Sequence, residues 1–175
     1  MINLRIGRQT FDFDCGAKAL QLVMEYYGVE MREDELMKEL NTCKDGTNYT
    51  NMISVAEKNG FEVFASNGVS LEQIKQFLDQ DYPVIVIVQA WADRYMTLED
   101  WKSSFDYGHY AVVIGYQDHI IIFEDPSSIR RTWLLEEEFL ARWHDIDLNT
   151  HQKVEHFAMV LMGKQPATRV PEHMD

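Results

Sequence analysis

One stretch of this chain, residues 108–126, constrains the fold more than any other. It reads GHYAVVIGYQDHIIIFEDP, and two runs rich in β-branched and aromatic residues flank a short polar connection at Gln117 and Asp118. The pattern predicts an antiparallel hairpin. A two-residue turn at 117–118 would place His109 opposite Pro126, whereas a three-residue turn over 116–118 would pair His109 directly with Asp125. We favour the second register, because it puts both side chains on one face at the open end of the hairpin.

The second informative feature is the cysteine that opens an amphipathic segment. Asp14 is a residue type that favours a helix N-cap, and apolar side chains follow Cys15 at helical spacing until Gly28. A thiol in the first turn faces unpaired backbone N–H groups and the positive end of the helix dipole, which favour the thiolate. We expect Gly16 to leave the main chain open beside the sulfur, where a substrate carbonyl can approach.

Cys15, His109 and Asp125 together are the residue types of a cysteine hydrolase. An imidazole takes the thiol proton, and a carboxylate fixes the tautomer of the ring and stabilises the imidazolium. Gln9 lies six residues before Cys15, and its amide N–H would help to hold an oxyanion, a contribution worth roughly 10²–10³ in rate. Each residue alone has a more ordinary structural explanation, such as a buried thiol or a turn-forming Asp. Their combination points to nucleophilic catalysis.

These motifs resemble the bacteriocin-processing, or double-glycine leader, cysteine peptidase family of the papain-like clan. The similarity rests on Gln9, on DCGAKALQLVMEYYG, on GHYAVVIGY and on FEDP, and it extends through GTNYTNMISVAEKNGFEV and PVIVIV over most of residues 5–165. The resemblance implies a papain-like fold with Cys15 as nucleophile and His109 as base. It also implies that Asp125 orients the base and that Gln9 lies in the oxyanion hole.

The chain departs from the family pattern in its lack of an exporter. Many members are peptidase domains fused ahead of an ABC exporter, whereas the longest purely apolar run here, residues 84–88, is far shorter than the roughly 20 residues of a membrane span. We therefore expect a protein that is not membrane-embedded and acts without a transporter on the same chain. A separate transporter or biosynthetic partner stays open.

A second departure is the stretch from Gln89 to Tyr107, which is longer than in the leader peptidases and rich in aromatic residues. We expect Trp91, Trp101, Tyr107 and the following Gly108 to contribute a lid or one wall of a substrate cleft. An equally supported alternative is a loop with a short helix, TLEDWKSSF, that packs its aromatic side chains onto the core.

Composition and cysteine content limit the partners, the location and the cofactors that we expect for this protein. A net charge of −13 argues against nucleic acid as a partner. Two cysteines and an N-terminus without a long apolar signal core indicate a cytoplasmic protein. No zinc-ligand spacing is present, so we predict neither a metal nor another cofactor. We expect one domain over residues 1–165, followed by a short tail, 166–175, within a loose segment that starts at Gly163.

Periodicity and turn residues predict the order of the elements. Helices are expected at about 15–27, 32–40, 48–59, 70–80 and 134–142, and strands at about 61–66, 83–88, 109–116, 119–124 and 154–162. Helices lead and strands follow, which indicates an α+β domain. An N-terminal helical half would carry Cys15, and an antiparallel sheet would carry His109 and Asp125. Substrate would lie in the cleft between the two halves.

The predicted function is a cysteine peptidase that cleaves a peptide or protein substrate, such as a leader peptide, through a thioester intermediate. Two alternatives stay open. With an amine or a thiol as acceptor in place of water, the same thioester would make the chain an acyltransferase. A catalytically idle chain would bind leader peptides as an interaction module, although the intact Cys, His, Asp and Gln count against this alternative.

Overall fold

The structure is a computed structural model that describes residues 1–167. Its α+β architecture agrees with the sequence prediction. Within residues 1–167 the helices are α1 (Cys15–Tyr26), α2 (Glu33–Glu39), α3 (Tyr49–Lys58), α4 (Leu71–Asp79), α5 (Leu98–Ser103) and α6 (Glu136–Arg142). In the same range the strands are β1 (Glu62–Ser66), β2 (Val84–Gln89), β3 (Gly108–Gln117), β4 (Ile120–Glu124), β5 (Thr132–Leu135), β6 (His144–Ile146), β7 (Lys153–Glu155) and β8 (Ala158–Met162).

An antiparallel sheet with the strand order β1-β8-β2-β3-β4-β5 forms the centre of the molecule. β2 is buried along its whole length because it pairs with β8 on one side and β3 on the other, and its sequence VIVIVQ is almost continuously apolar. Helices α1 and α4 pack against β3, and α6 packs against β2 and β4. β6 and β7 pair separately as a two-stranded sheet.

The β3–β4 hairpin is present, but its turn lies farther along the chain than predicted. Asp118 and His119 occupy the turn with φ of 46° and 66°, the left-handed backbone of a two-residue type I′ connection. A β-bulge at residues 113–115 then shifts the pairing. Both registers considered from the sequence are therefore wrong. His109 is not paired with Asp125 in the ladder, since β4 ends one residue before that aspartate.

The strand predicted over 154–162 is two strands. The break falls at His156, whose φ of 50° lies in the left-handed region and interrupts the extended strand. Its ring stacks on Trp143 with centroids 4.7 Å apart, and its backbone N–H donates to the Trp143 carbonyl at 2.9 Å. β5 and β6 were not predicted from the sequence.

The segment after Gly163, which we predicted to be loose, is attached to the end of α1. The backbone N–H of Ala167 donates to the carbonyl of Tyr26 at 2.9 Å, which ties this part of the chain to the end of α1. The remainder of the predicted tail, residues 168–175, lies outside the described residues.

Candidate active site

The structure brings His109 and Asp125 into direct contact at the end of the central sheet. His109 Nε2 and Asp125 Oδ1 are 2.7 Å apart, and both side chains are buried. Asp125 follows β4 directly and is free of the ladder. Its carboxylate bends back through a turn in which the Ser127 N–H donates to Oδ1 at 2.8 Å. This local turn, rather than strand pairing, positions the carboxylate.

Both oxygens of Asp125 are occupied. In addition to the two donors on Oδ1, Oδ2 accepts from the Trp91 indole N–H at 3.1 Å and from the Thr132 hydroxyl at 3.3 Å. Burial alone would raise the pKa of Asp125, but the hydrogen bonds and charge of His109, with smaller contributions from Ser127 and Trp91, outweigh it and lower the pKa. Asp125 is therefore ionised at neutral pH.

The imidazole of His109 and the thiol of Cys15 border the same cavity. Burial alone would lower the pKa of His109, but hydrogen bonds to Asp125 and to Cys15, together with their charges, raise it to about 9. Since Nε2 binds the carboxylate, Nδ1 is the nitrogen that serves Cys15. The ring is thus built to carry a proton at neutral pH between a sulfur and a carboxylate.

Cys15 is the first residue of α1, as predicted, but Asp14 does not cap the helix in the expected way. The fully buried Asp14 carboxylate makes no capping bond; it accepts from the backbone N–H groups of Thr10 and Phe11, at 3.0 and 3.1 Å. Burial and the nearby Glu33 raise the pKa of Asp14. The first N–H groups of α1, including that of Cys15, are left without a side-chain cap.

A small cavity of about 60 Å³ opens beside the sulfur. Its walls include Cys15, His109 and the loop before α3 around Thr47. Tyr110 holds that loop in place because its hydroxyl donates to the Thr47 carbonyl at 2.9 Å. Gly108 borders the same cavity, and a Cβ at this position would collide with the Asp145 carboxylate. The cavity at the thiol is therefore small, and a second cavity of about 450 Å³ adjoins it along Gly108 and Asp145.

Gly16 does not leave the main chain open to substrate, contrary to the sequence prediction. It is buried, and a Cβ on it would lie 2.9 Å from Thr47 Cβ and 3.0 Å from the Tyr110 ring. The missing side chain lets α1 approach the sheet and the cavity loop closely. The glycine is needed for packing at this contact.

Gln9 lies beside the turn that follows Asp125. Its backbone N–H donates to the Pro126 carbonyl at 2.8 Å, and its Oε1 accepts from the Ser127 hydroxyl at 3.0 Å. Its Nε2 donates one hydrogen to the Phe11 carbonyl at 2.7 Å. Among the hydrogen bonds within residues 1–167, none joins the Gln9 side chain to Cys15.

The aromatic insertion is arranged differently from the predicted wall. Trp101 is buried, with the Arg142 guanidinium 4.1 Å above its ring and Tyr107 against its edge. Neither Trp101 nor Tyr107 borders the cavity at Cys15, so the expectation of a substrate wall is not met for these two residues. The predicted short helix is present as α5. Trp91 is exposed but contacts Asp125.

Three residues that touch Asp125 were not identified from the sequence in that role: Trp91, Ser127 and Thr132. The DPS sequence at 125–127 is a turn signal that could have identified Ser127. No local pattern identifies Trp91 or Thr132: Trp91 is 34 residues from Asp125 in sequence, and Thr132 contacts it from the start of β5, 7 residues later. In the described part of the chain, no three His, Cys, Asp or Glu side chains gather as a metal site. None of the helices there is long and apolar enough to cross a membrane.

Comparison with solved structures defines the class of this fold. The peptidase domain of Streptococcus ComA, a bi-functional ABC transporter involved in quorum sensing, superposes with a TM-score of 0.66 and 26% sequence identity over 92% of this chain and 98% of that domain. A C39-like peptidase from Bacillus anthracis superposes with a TM-score of 0.68 over 94% of this chain and 96% of its own, at 17% identity. The fold is that of the papain-like peptidase domains.

Sequence comparison gives the family. Residues 3–155 match the Peptidase C39 family, and this chain belongs to it. The Lactococcus lactis protein LcnC, a lactococcin-A transport and processing ATP-binding protein, is 30% identical over 142 residues, which are 80% of this chain. That match covers 18% of LcnC, so the chain spans about a fifth of the length of this relative.

Proposed function

We propose that this protein is a cysteine peptidase that cleaves a leader peptide after a pair of small residues, through a thioester on Cys15. The observation that carries the proposal is the position of His109, whose Nε2 lies 2.7 Å from Asp125 Oδ1 and which borders the same cavity as Cys15. Membership of the C39 family supports the same chemistry.

The proposed reaction follows from the roles of these groups. His109 holds the proton of the thiol, and the sulfur of Cys15 attacks the scissile carbonyl, whose electron pair moves to oxygen. The uncapped N–H of Cys15 stabilises the oxyanion, together with the second Nε2 hydrogen of Gln9. As the C–N bond breaks, the imidazolium gives its proton to the leaving amine. Water then adds to the thioester with His109 as base and frees the acyl fragment and the thiol.

The size of the cavity supports small residues at the cleavage site. At about 60 Å³ it is small beside the adjoining cavity of about 450 Å³, so small side chains fit next to the sulfur more readily than branched ones. A structure of a double-glycine-motif protease with its leader peptide shares this fold, with a TM-score of 0.65 at 17% identity. We therefore propose a double-glycine leader as the substrate class, with a transporter or a biosynthetic protein as partner. Two free cysteines support a reducing, cytoplasmic setting for this activity.

A cleavage assay with matched peptides and matched thiol variants tests the proposal. Synthetic leaders ending in Gly-Gly, Gly-Val or Val-Gly before the cleavage site are incubated with the protein, and the fragments are read by mass spectrometry. We expect cleavage after Gly-Gly and a fall of kcat/KM of about tenfold or more with valine, because a branched side chain fits less well in a small cavity. Cys15→Ala should abolish cleavage, whereas Cys43→Ala, which removes the exposed thiol, should not.

Two results would contradict the proposal. Cleavage that survives in Cys15→Ala would assign the reaction to another group. Absence of cleavage of every peptide, together with alkylation of Cys15 no faster than that of Cys43, would leave the thiol without the activation that the proposal requires. Release of products as amides or thioesters, in place of free acids, would favour acyl transfer over hydrolysis.

A further inference from the structure

Oδ2 of Asp125, the oxygen not bonded to His109, accepts hydrogen bonds from two residues that do not border the cavity at the thiol. Trp91 donates its indole N–H to Oδ2 at 3.1 Å, and Thr132 donates its hydroxyl to the same atom at 3.3 Å. Because these donors fix Oδ2, rotation of the carboxylate about its Cβ–Cγ bond is restricted. Oδ1 is consequently kept toward Nε2 of His109.

The backbone of Trp91 is anchored close to this contact. The residue follows β2 closely and has a φ of 61°, in the left-handed region that bulky side chains seldom adopt. The two ends of the insertion are tied together beside it: Ala90 N–H donates to the Tyr107 carbonyl, and Tyr107 N–H donates to Gln89 Oε1, both at 2.9 Å. An unfavourable backbone conformation that is held by its surroundings is typical of functional positions.

The exposure of Trp91 indicates that its N–H contributes more than its ring. The side chain is 56% exposed, so the indole gains little from packing. Its N–H nevertheless reaches a buried carboxylate, where a charge-assisted hydrogen bond is strong and directional. Trp91 borders a cavity of about 190 Å³ that it shares with Thr132, and it does not border the cavity at Cys15.

We propose that Trp91 is a positioning residue of the active site, which acts by donating its indole N–H to Asp125 and so fixes the orientation of His109 toward Cys15. Thr132 supports the same oxygen as a second, weaker donor. The inference rests on the proposed peptidase function for its kinetic test. It replaces the earlier expectation that Trp91 contacts substrate.

Two substitutions separate the donor from the ring. Trp91→Phe keeps an aromatic ring and removes the N–H. Trp91→Gln removes the ring and keeps an N–H donor at the same number of bonds from Cβ as in the indole. Thr132→Val removes the second donor, and Tyr95→Phe, in the same insertion and 87% exposed, serves as the control. Thermal unfolding of each variant confirms that it is folded.

We expect Trp91→Phe to lower kcat about tenfold, with KM changed by less than about twofold, since a hydrogen bond to a charged group is lost without a substrate contact. Trp91→Gln should restore kcat to within about threefold of the original protein, and Thr132→Val should lower it by a smaller factor. Equal loss in the Phe and Gln variants, or a rise in KM alone, would overturn the proposal, because the ring would then be the part that matters.

Alkylation of Cys15 by iodoacetamide at pH 7 provides a test without any peptide. Trp91→Phe should slow this reaction about fivefold and Trp91→Gln should not, because the thiolate depends on a correctly oriented His109. An unchanged rate in Trp91→Phe contradicts the positioning role. If alkylation responds as expected while no peptide is cleaved, the positioning role stands and the proposed peptidase function fails.

Discussion

At the scale of single residues, the imidazole of His109 has two partners with different roles. Asp125 holds one nitrogen and stabilises the charged ring, whereas in the proposed reaction Cys15 exchanges a proton with the other. Both partners favour the imidazolium in the folded protein, and the unfolded chain lacks them. The protonation state of His109 is therefore coupled to folding as well as to catalysis.

This coupling predicts how stability depends on pH. The pKa of His109 is about 9 in the folded protein, against 6.5 for an ordinary histidine. Its stabilising contribution is therefore fully present below pH 6.5 and is lost as the pH rises to about 9, an effect on the order of a few kcal/mol. Urea unfolding at pH 6 and pH 9.5 should show a larger fall in the free energy of unfolding for the original protein than for His109→Gln. An equal fall in the free energy of unfolding for the original protein and for His109→Gln would contradict the raised pKa of His109.

The sequence predicted the key residues better than it predicted their geometry. Cys15, His109 and Asp125 lie together as expected, but the favoured pairing of His109 with Asp125 was wrong. The sequence of residues 113–115 does not predict a β-bulge. The Asp125 carboxylate is positioned by a turn outside the β3–β4 ladder. Gly16 and Trp91 were misinterpreted for a similar reason, since the contacts that define them come from residues far away in the chain.

At the scale of elements, the hairpin turn keeps two side chains in the left-handed region. Asp118 and His119 have φ of 46° and 66°, which Asn-Gly adopts more readily. We expect Asp118→Asn with His119→Gly to stabilise the protein by about 1 kcal/mol and to raise Tm by about 2–4 °C. Asp118→Asn with His119→Ala, which keeps the Cβ in the turn, is the matched control. Equal Tm values for the two pairs would show that the turn conformation carries no such cost.

The strand features that the sequence did not predict, β5 and the break between β7 and β8, have weak local sequence patterns. β5 is a four-residue strand at the edge of the sheet, and its burial alternates only between half-buried and exposed. The break between β7 and β8 depends on His156, whose positive φ is held by a hydrogen bond to Trp143 and by stacking on its ring. Neither feature is encoded in a short stretch of sequence, whereas the apolar run of β2 and the amphipathic pattern of α1 are.

At the scale of the whole molecule, the site depends on how closely the helical half approaches the sheet. α1 carries Cys15 and packs on β3, which carries His109, and Gly16 lies at the contact between them. The α+β arrangement follows from the order of the elements. The approach distance does not, because it is set by one missing side chain.

A single added methyl group tests this contact. In Gly16→Ala the Cβ would lie 2.9 Å from Thr47 Cβ and 3.0 Å from the ring of Tyr110, so α1 must shift. We expect a loss of about 1–3 kcal/mol of stability and a larger relative loss of peptide cleavage. Gly7→Ala also crowds α1, but against the flexible end of Leu22. We expect Gly7→Ala to lose stability with little loss of activity per folded molecule. A greater loss of activity in Gly7→Ala than in Gly16→Ala would contradict the role of Gly16 at this contact.

The most direct test of the central claim is to trap the thioester on the protein. The protein is mixed with a Gly-Gly leader peptide, quenched in acid within the first turnovers and measured by intact and peptide-level mass spectrometry. We expect a mass increase equal to the N-terminal fragment of the leader minus water, located on Cys15, present in Cys43→Ala and absent from Cys15→Ala. Cleavage with no adduct on Cys15, or an adduct on another residue that disappears with activity, would contradict it.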